Sequence, residues 1–469
     1  MGKDGDMLIK NGVIAASEAV FEGDILIEGG KISRIEKNID AAAHEAAGRV
    51  IDAGGCYVLP GGVDVHTHFD LDTGIARATD DFYTGTVAAA CGGTTSIVDH
   101  VGFGPAGCAL RRQIDYYHTL ADGKAVIDYG FHGVVQRVDG GVLGELAALI
   151  DEGITSYKIY MTYDYKIDDA GIYRFLKRAG ELGLMTAAHP ENHGLVSYLR
   201  AYYIENGFTS PVYHARSRPP EAEAEAISRF LLLARAAGDA PAYIVHLTCG
   251  LGLEHIRAAR GLGQNNIFAE TCPQYLLFDE GAYGREDGLK FVMSPPLRRK
   301  TDNAALWGGL AAGDIQTVGT DHCPFNYAKE KQLGARDFTK CPAGAPGVET
   351  RMLAMFSEGF MKNRVTLNQV VRACCTNPAR LFGLTQKGDI AEGLDADIVI
   401  IDPEKSRVIR HADLHENVDY TPYEGMTLKG AITHTISRGE VIVKDNAFLG
   451  GKGRGRFIKR ALPDINPRQ

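Results

Sequence analysis

Gly61-Gly62-Val63-Asp64-Val65-His66-Thr67-His68-Phe69-Asp70 is an apolar, strand-like run that ends in two histidines. Alternate residues of a strand point to one face, so His66 and His68 project together where the strand stops. Two imidazoles placed in this way make half of a metal site. Many His-x-His pairs are ordinary surface or core histidines, so the decision rests on what the rest of the chain delivers to the same place.

Around this run, strand-like and helical stretches alternate at spacings of roughly 30 to 50 residues, as successive βα units do. Eight strand candidates are read, at 57–66, 94–99, 128–135, 156–161, 184–189, 242–247, 267–271 and 315–321. Amphipathic helical stretches such as 221–237 and 368–381 fall between or after them. Eight βα units closing into an α/β (β/α)8 TIM barrel is the economical reading, with active-site residues at the C-terminal ends of the strands. A doubly wound open sheet is the runner-up, but no GxGxxG or P-loop signature supports it.

The two ends of the chain have a different texture. Met7-Leu8-Ile9-Lys10 runs into Asn11-Gly12 and then Val13-Ile14, and Asp24–Glu28 runs into Gly29-Gly30 and then Lys31–Ile35. Both read as hairpins. Short strands return at Asp397–Ile401, Ala431–Ser437 and Val441–Val443 with no long helix between them. The expected organisation is a small β-rich, sandwich-like domain built from residues 1–56 and 386–469, and a catalytic barrel over 57–385.

At 469 residues the chain is too long for one simple core. Its hydrophobic share of 45% and charged share of 23% are those of a globular protein. The net charge of −9, with no basic run, argues against nucleic acid as a partner. No apolar leader opens the sequence and no apolar run is long enough to span a membrane, so no membrane partner is expected. Nine cysteines, odd in number and without CxxC spacing, read as reduced thiols of a cytoplasmic protein.

The polar residues at the strand ends carry the chemistry. The first strand brings His66 and His68, the fourth Lys158, the fifth His189, the sixth His246 and the eighth Asp321. Each has a bland reading alone: His189 and His246 as hydrogen-bonded core histidines, Asp321 as a helix cap, Lys158 as a snorkelling strand residue. All six falling at the ends of strands of one barrel is hard to reconcile with those readings. Zinc takes imidazole and carboxylate ligands, and catalytic sites keep a position open for water. Lys158 fits less obviously, because a buried ammonium is costly and repels cations. A neutral lysine amine that adds carbon dioxide becomes an anionic carbamate whose two oxygens can bridge two metals.

These segments resemble the dihydropyrimidinase and hydantoinase family of cyclic amidohydrolases. The matching motifs are Pro60–His68, Tyr157–Tyr163, His189-Pro190-Glu191-Asn192, Ser294–Arg298, Thr320–Phe325, Gly344–Glu349 and Gly393–Ile400, in order over nearly the whole chain. Within the family, Asp70–Arg77, Gly102-Phe103-Gly104-Pro105, Arg216–Pro219, Glu270–Leu276 and Gly453–Phe457 resemble the bacterial phenylhydantoinase branch.

The resemblance implies two zinc ions per subunit, with other divalent metals as alternatives. His66, His68 and Asp321 would hold the more buried ion and His189 and His246 the more exposed one, with carboxylated Lys158 between them. Tyr163 would stabilise the oxyanion and Ser294 would meet the substrate's imide through its backbone. A further main-chain contact falls at Ala343, where the family carries Asn; the family's usual Ala after the fifth-strand histidine is Pro190 here. Asp321 would act as the proton shuttle, and the assembly implied is a homotetramer.

The expected reaction opens 5-substituted hydantoins to N-carbamoyl amino acids, and the partner is a small cyclic amide or ureide. Dihydropyrimidine ring opening is the alternative, followed by allantoinase or dihydroorotase activity. Phe69, Leu71, Tyr160, Tyr163 and Tyr165 suit an apolar or aromatic substituent, while Arg77 or Arg298 would serve a substrate carboxylate. A non-catalytic scaffold is disfavoured because all six metal-site positions are intact.

Overall fold

A computed structural model describes residues 6–42 and 49–465. Residues 1–5, 43–48 and 466–469, which include most of the opening stretch read for a leader and the outer edges of the domain built from the chain ends, lie outside the described residues.

The N-terminal strands are β1 Met7–Ala15, β2 Val20–Glu28, β3 Lys31–Glu36, β4 Val50–Asp52 and β5 Tyr57–Pro60. They are followed by β6 Gly62–Thr67, β7 Thr94–His100, β8 Asp128–Val134, β9 Ser156–Tyr160, β10 Met185–His189, β11 Ala242–Ile244, β12 Ile267–Thr271 and β13 Thr317–Val318. The last four are β14 Ile398–Val408, β15 Thr427–Ser437, β16 Glu440–Lys444 and β17 Ala447–Phe448.

β6 to β13 pair in sequence order, every pair parallel, as an eight-stranded sheet. The sheet curls until its ends meet: Asp321 N donates to His66 O at 2.8 Å, and His68 N donates to His322 O at 3.0 Å. This is the (β/α)8 barrel expected from the eight strand candidates. Its strands are buried along their whole length, as strands covered on both faces by helices must be. Several helices start on a side-chain cap. Asp139, Asp168 and Asn192 accept from Val142 N, Gly171 N and Leu195 N at 2.9, 2.7 and 3.0 Å, which satisfies amides that the first turn leaves open.

The end opposite the mouth is plugged. Val63, Val65, Met185, Tyr243 and Val245 pack there against Leu381, Phe382 and Leu384. The fully buried Arg351 donates to the carbonyls of Val63, Val318 and Cys374 at 3.2, 2.9 and 3.2 Å, tying the first and last barrel strands to the segment that seals them. Access is therefore from the C-terminal ends of the strands.

The chain ends build the second, nine-stranded sheet, ordered β17-β16-β15-β14-β5-β1-β2-β3 with β4 beside β1. It has its own apolar core of Ile9, Ile14, Ile25, Ile27, Ile398, Ile400 and Ile436.

Three expectations change. The strand read at 57–66 is two strands in different sheets. The chain crosses over at Gly61, where an added Cβ would stand 2.1 Å from Thr95 Oγ1. Asn11-Gly12 is no hairpin: Asn11 adopts φ +59 within β1, and the register shifts between Ile9 and Gly12, so the pair forms a bulge in one continuous strand. The helix read over 368–381 is split by a π-helical stretch, Arg372–Thr376, whose Cys374 carbonyl is turned to Arg351. The Gly29-Gly30 hairpin forms as read, with both glycines at positive φ joining Glu28 to Lys31. Among the described residues no helix is long and apolar enough to cross a membrane.

Candidate metal centre

His66 and His68 leave β6 on one face, and both Nε2 atoms lie 3.1 Å from the same Asp321 Oδ1. These three residues form a cluster able to hold a metal ion. Beside it, His246 Nε2 and His189 Nδ1 face each other at 2.9 Å. Lys158 Nζ, from the buried strand β9, has His66 Nε2 at 3.4 Å as its hydrogen-bond partner. The six residues predicted as metal ligands thus converge at one place, at and just beyond the strand ends.

His246 and Asp321 sit past the strands that deliver them. Their φ values are +39 and +54, and Tyr163 has φ +71. Left-handed backbone in a non-glycine residue costs of order 1–3 kcal/mol and persists where surrounding contacts hold it. Here it turns side chains into the mouth that a straight continuation of the strand would send elsewhere.

Carboxylates hold the outer ring nitrogens of two of these histidines. His66 Nδ1 donates to Glu270 Oε1 at 2.5 Å, and His189 Nε2 donates to Glu191 Oε2 at 2.7 Å. Glu270 also accepts from His246 N at 3.1 Å and from the Tyr243 hydroxyl at 3.0 Å, so one carboxylate sets two histidines. Glu191 is bonded to Arg218, and Arg298 reaches both the Arg218 carbonyl and Glu223. The inner nitrogens of His66 and His189 are left aimed inward, because a hydrogen bond on one ring nitrogen fixes the tautomer and the orientation of the other.

The electrostatics follow from burial and neighbours. Burial alone would lower His66, but the Glu270 charge raises it to about 9. Burial takes His68 down to about 4 and Lys158 down to about 8. Burial would raise Asp321, yet His66 and His68 hold its carboxyl well below the usual range. Burial also works to raise Glu191, which Arg218 holds at about 2. Burial pushes the Tyr163 phenol up, so it remains a hydrogen-bond donor. Once an ion displaces the inner proton of His66, these imidazoles and the carboxylate are a donor set that suits zinc and similar divalent ions.

Above these groups opens a cavity of about 440 Å³, within the usual range for small-molecule sites. Its wall includes His68, Lys158, Tyr163, His189, His246, Ser294, Asp321 and Ala343, while His66 lies beneath it, fully buried. Leu71, Tyr160 and Tyr165 line it as well. Tyr165 lies 5.0 Å from the Tyr160 ring and 3.8 Å from that of Phe103.

Phe69, expected at this mouth, is instead core, buried against Phe82 and His322. Arg77 and Arg298 do not line the cavity either. Arg77 pairs with Asp70 at 2.7 Å, and the buried Arg298 pairs with Glu223 at 2.9 Å. The arginines on the cavity wall are Arg200 and Arg218, which sequence reasoning passed over, as it did the supporting roles of Glu191 and Glu270. Glu270 carried a signal: it is a charge inside the apolar run Ile267-Phe268-Ala269-Glu270-Thr271, just as Lys158 is in its own strand.

The model of the amidohydrolase family matches residues 57–442. The chain is 51% identical to a D-phenylhydantoinase of Escherichia coli O1:K1 over 455 residues, 97% of this chain and 98% of that protein. Among solved structures it is similar to a dihydropyrimidinase from Brevibacillus agri NCHU1002, with a TM-score of 0.95 and 45% identity across 98% of this chain and 100% of that one. It is also similar to a D-hydantoinase from a Bacillus sp. AR9, with a TM-score of 0.93 and 43% identity across 97% and 99% of the two chains.

Proposed function

We propose, from the premise that the chain belongs to the amidohydrolase family, that it is a metal-dependent hydrolase opening the ring amide of 5-substituted, above all aromatic, hydantoins to N-carbamoyl amino acids. The observation that carries this reading is the convergence of His66, His68, Asp321, His189 and His246 around Lys158 on the floor of a cavity walled by tyrosines. The likeness to a D-phenylhydantoinase along nearly the whole chain supports the aromatic preference.

His66, His68 and Asp321 would hold one divalent ion, zinc in our reading, and His189 and His246 a second. Lys158 would bridge the two after its neutral amine adds carbon dioxide and gives up a proton to become a carbamate. Bound there, the ions supply Lewis acidity that activates a water and polarises the ring carbonyl. Asp321 takes the proton of the attacking water as a bond forms to the amide carbon. As the carbon–nitrogen bond breaks, the same carboxyl returns that proton to the departing ring nitrogen. The Tyr163 hydroxyl, kept protonated by burial, donates to the carbonyl oxygen as it gains charge. Main-chain groups of Ser294 and Ala343 meet the imide edge of the ring, and Leu71, Tyr160 and Tyr165 cover the 5-substituent.

Dihydropyrimidine ring opening is the second reading, favoured by the high structural likeness to a dihydropyrimidinase. The same steps apply to it. Allantoin and dihydroorotate are more polar and fit the tyrosine wall less well, and intact donors at all six positions weigh against a non-catalytic scaffold.

The remaining parts of the proposal concern setting. All nine cysteines are free, which supports a reducing, cytoplasmic compartment. Assembly into a homotetramer follows the habit of the family that the chain resembles. The chain would divide into a catalytic unit over 57–385 and a small β-rich unit from 1–56 and 386–469, with Tyr57–Pro60 bridging them. The test is direct. Metal-loaded protein should convert 5-phenylhydantoin to its N-carbamoyl product and stop when the metal is chelated.

A further inference from the structure

Two stretches of main chain frame one side of the cavity, and in each a free residue sits between pinned neighbours. Lys331 is buried, and its Nζ donates to the carbonyls of Val292 at 2.7 Å, Pro342 at 2.9 Å and Gly344 at 2.6 Å. Three N–H donors meet three acceptors, so the ammonium is satisfied. Gly344 N donates to the same Val292 carbonyl at 3.1 Å. On the other stretch His214 Nε2 donates to Met293 O, and the Tyr275 hydroxyl to Pro295 O, both at 2.8 Å.

Between these fixed groups lie Ser294 and Ala343, each partly exposed on the cavity wall. Among the described residues, their main-chain N–H and C=O groups make no hydrogen bond within the protein. Main-chain groups on a cavity wall without a partner in the protein are open to a ligand's hydrogen bonds. A cyclic imide, with its carbonyl–N–H–carbonyl edge, offers both the donor and the acceptors that such groups lack.

We propose that Lys331 is a positioning residue that sets the spacing of the Ser294 and Ala343 main-chain groups, and through them the recognition of the substrate's imide edge. The proposal rests on the reading above, in which those two residues meet the imide. An apolar side chain in place of Lys331 would pack the same loops but impose no direction on their carbonyls. One ammonium holds three carbonyl oxygens around a single point, and so holds Ala343 between Pro342 and Gly344 at a set distance from the 292–294 stretch. Burying an ammonium is costly unless it is paired. Among the described residues no carboxylate pairs with Lys331, and its nearest aromatic face, Phe325, lies 5.9 Å away. That cost is intelligible if carbonyl placement is what the lysine provides.

The test crosses a protein change with a substrate change. Lys331→Met keeps the length and removes the donors, while Lys331→Gln keeps one donor group. The substrates are 5-phenylhydantoin and its analogue methylated on the imide nitrogen, and metal content is measured for every protein. Methylation also alters the departing nitrogen, equally in every protein, so the reading is the difference between proteins; wild-type kcat/KM should fall by about tenfold or more. Lys331→Met should keep its metal and lose about tenfold on 5-phenylhydantoin, mainly through KM, yet less than about threefold on the methylated analogue, because the contact is already gone. Lys331→Gln should fall between the two. Equal losses on both substrates would overturn the proposal, as would failure of both variants to fold or to hold metal. If methylation leaves the wild-type enzyme unaffected, the imide-contact reading itself is wrong.

Discussion

Glu270 grips His66 from behind: the imidazole Nδ1 donates to Glu270 Oε1 at 2.5 Å, with both side chains fully buried. The same oxygen accepts from His246 N at 3.1 Å. One carboxylate oxygen therefore orients two of the six candidate ligands, His66 and His246. Its fit is close, since a Cβ added at Gly319 would stand 2.6 Å from Glu270 Oε2.

Glu270→Ala frees the His66 ring and removes the partner of the His246 amide. Metal affinity, measured by competition with a chelator, should fall by about ten- to a hundredfold. Unchanged affinity would mean that Glu270 serves the core rather than the metal centre.

Lys158→Ala should be inactive and metal-poor if a carbamate formed on Lys158 serves as a ligand, as proposed above. A small carboxylate such as acetate or propionate, added with metal, should restore part of the activity by supplying the missing oxygens. Full metal content and normal turnover in the alanine variant would remove Lys158 from the centre.

Tyr163→Phe removes one hydroxyl and leaves the ring. If that hydroxyl meets the oxyanion, kcat should drop by about a hundred- to a thousandfold with metal content unchanged. A loss below about threefold at unchanged metal content would assign Tyr163 to packing, since one oxyanion donor is worth far more.

Much of this centre is legible in the sequence because barrel strands are buried on both faces, so a polar residue at their ends stands out against an apolar run. His66, His68, Lys158 and His189 sit in or at the end of such strands. His246 and Asp321 fall where the chain has already left the strand in left-handed backbone, which is why the sixth and eighth strands are shorter than their apolar patterns suggest. The supporting partners are harder to read. Glu191 and Arg218 are 27 residues apart and meet only through the fold. Lys331 sits in a charged loop whose composition reads as solvated surface, and Asn11-Gly12 carries the residues of a turn while serving as a bulge.

A pH effect arises at Glu416, whose Oε1 lies 3.7 Å from Nδ1 of His322, the residue after Asp321. Burial raises Glu416 from 4.5 to about 7, and its Oε2 has no hydrogen-bond partner. The neutral form is thus favoured in the folded state. Between those two values the native protein binds the extra proton, so this group's contribution is present below 4.5 and is lost as pH rises through about 7. Glu416→Gln should mimic the neutral form, raise Tm at about pH 8 and flatten the decline from pH ~5 upward. A variant less stable than wild type at the alkaline end would contradict this account.

The reaction and its substrate are tested most directly by one panel: kcat/KM of the metal-replete protein on 5-phenylhydantoin, unsubstituted hydantoin, dihydrouracil, allantoin and dihydroorotate. Burying a phenyl group against Leu71, Tyr160 and Tyr165 should favour 5-phenylhydantoin over hydantoin by about tenfold or more, on the order of 1.4 kcal/mol. It should also exceed allantoin and dihydroorotate. Faster turnover of dihydrouracil would move the assignment to dihydropyrimidine ring opening. A preference for dihydroorotate, whose carboxylate Arg200 on the cavity wall could meet, would contradict the aromatic-pocket account outright.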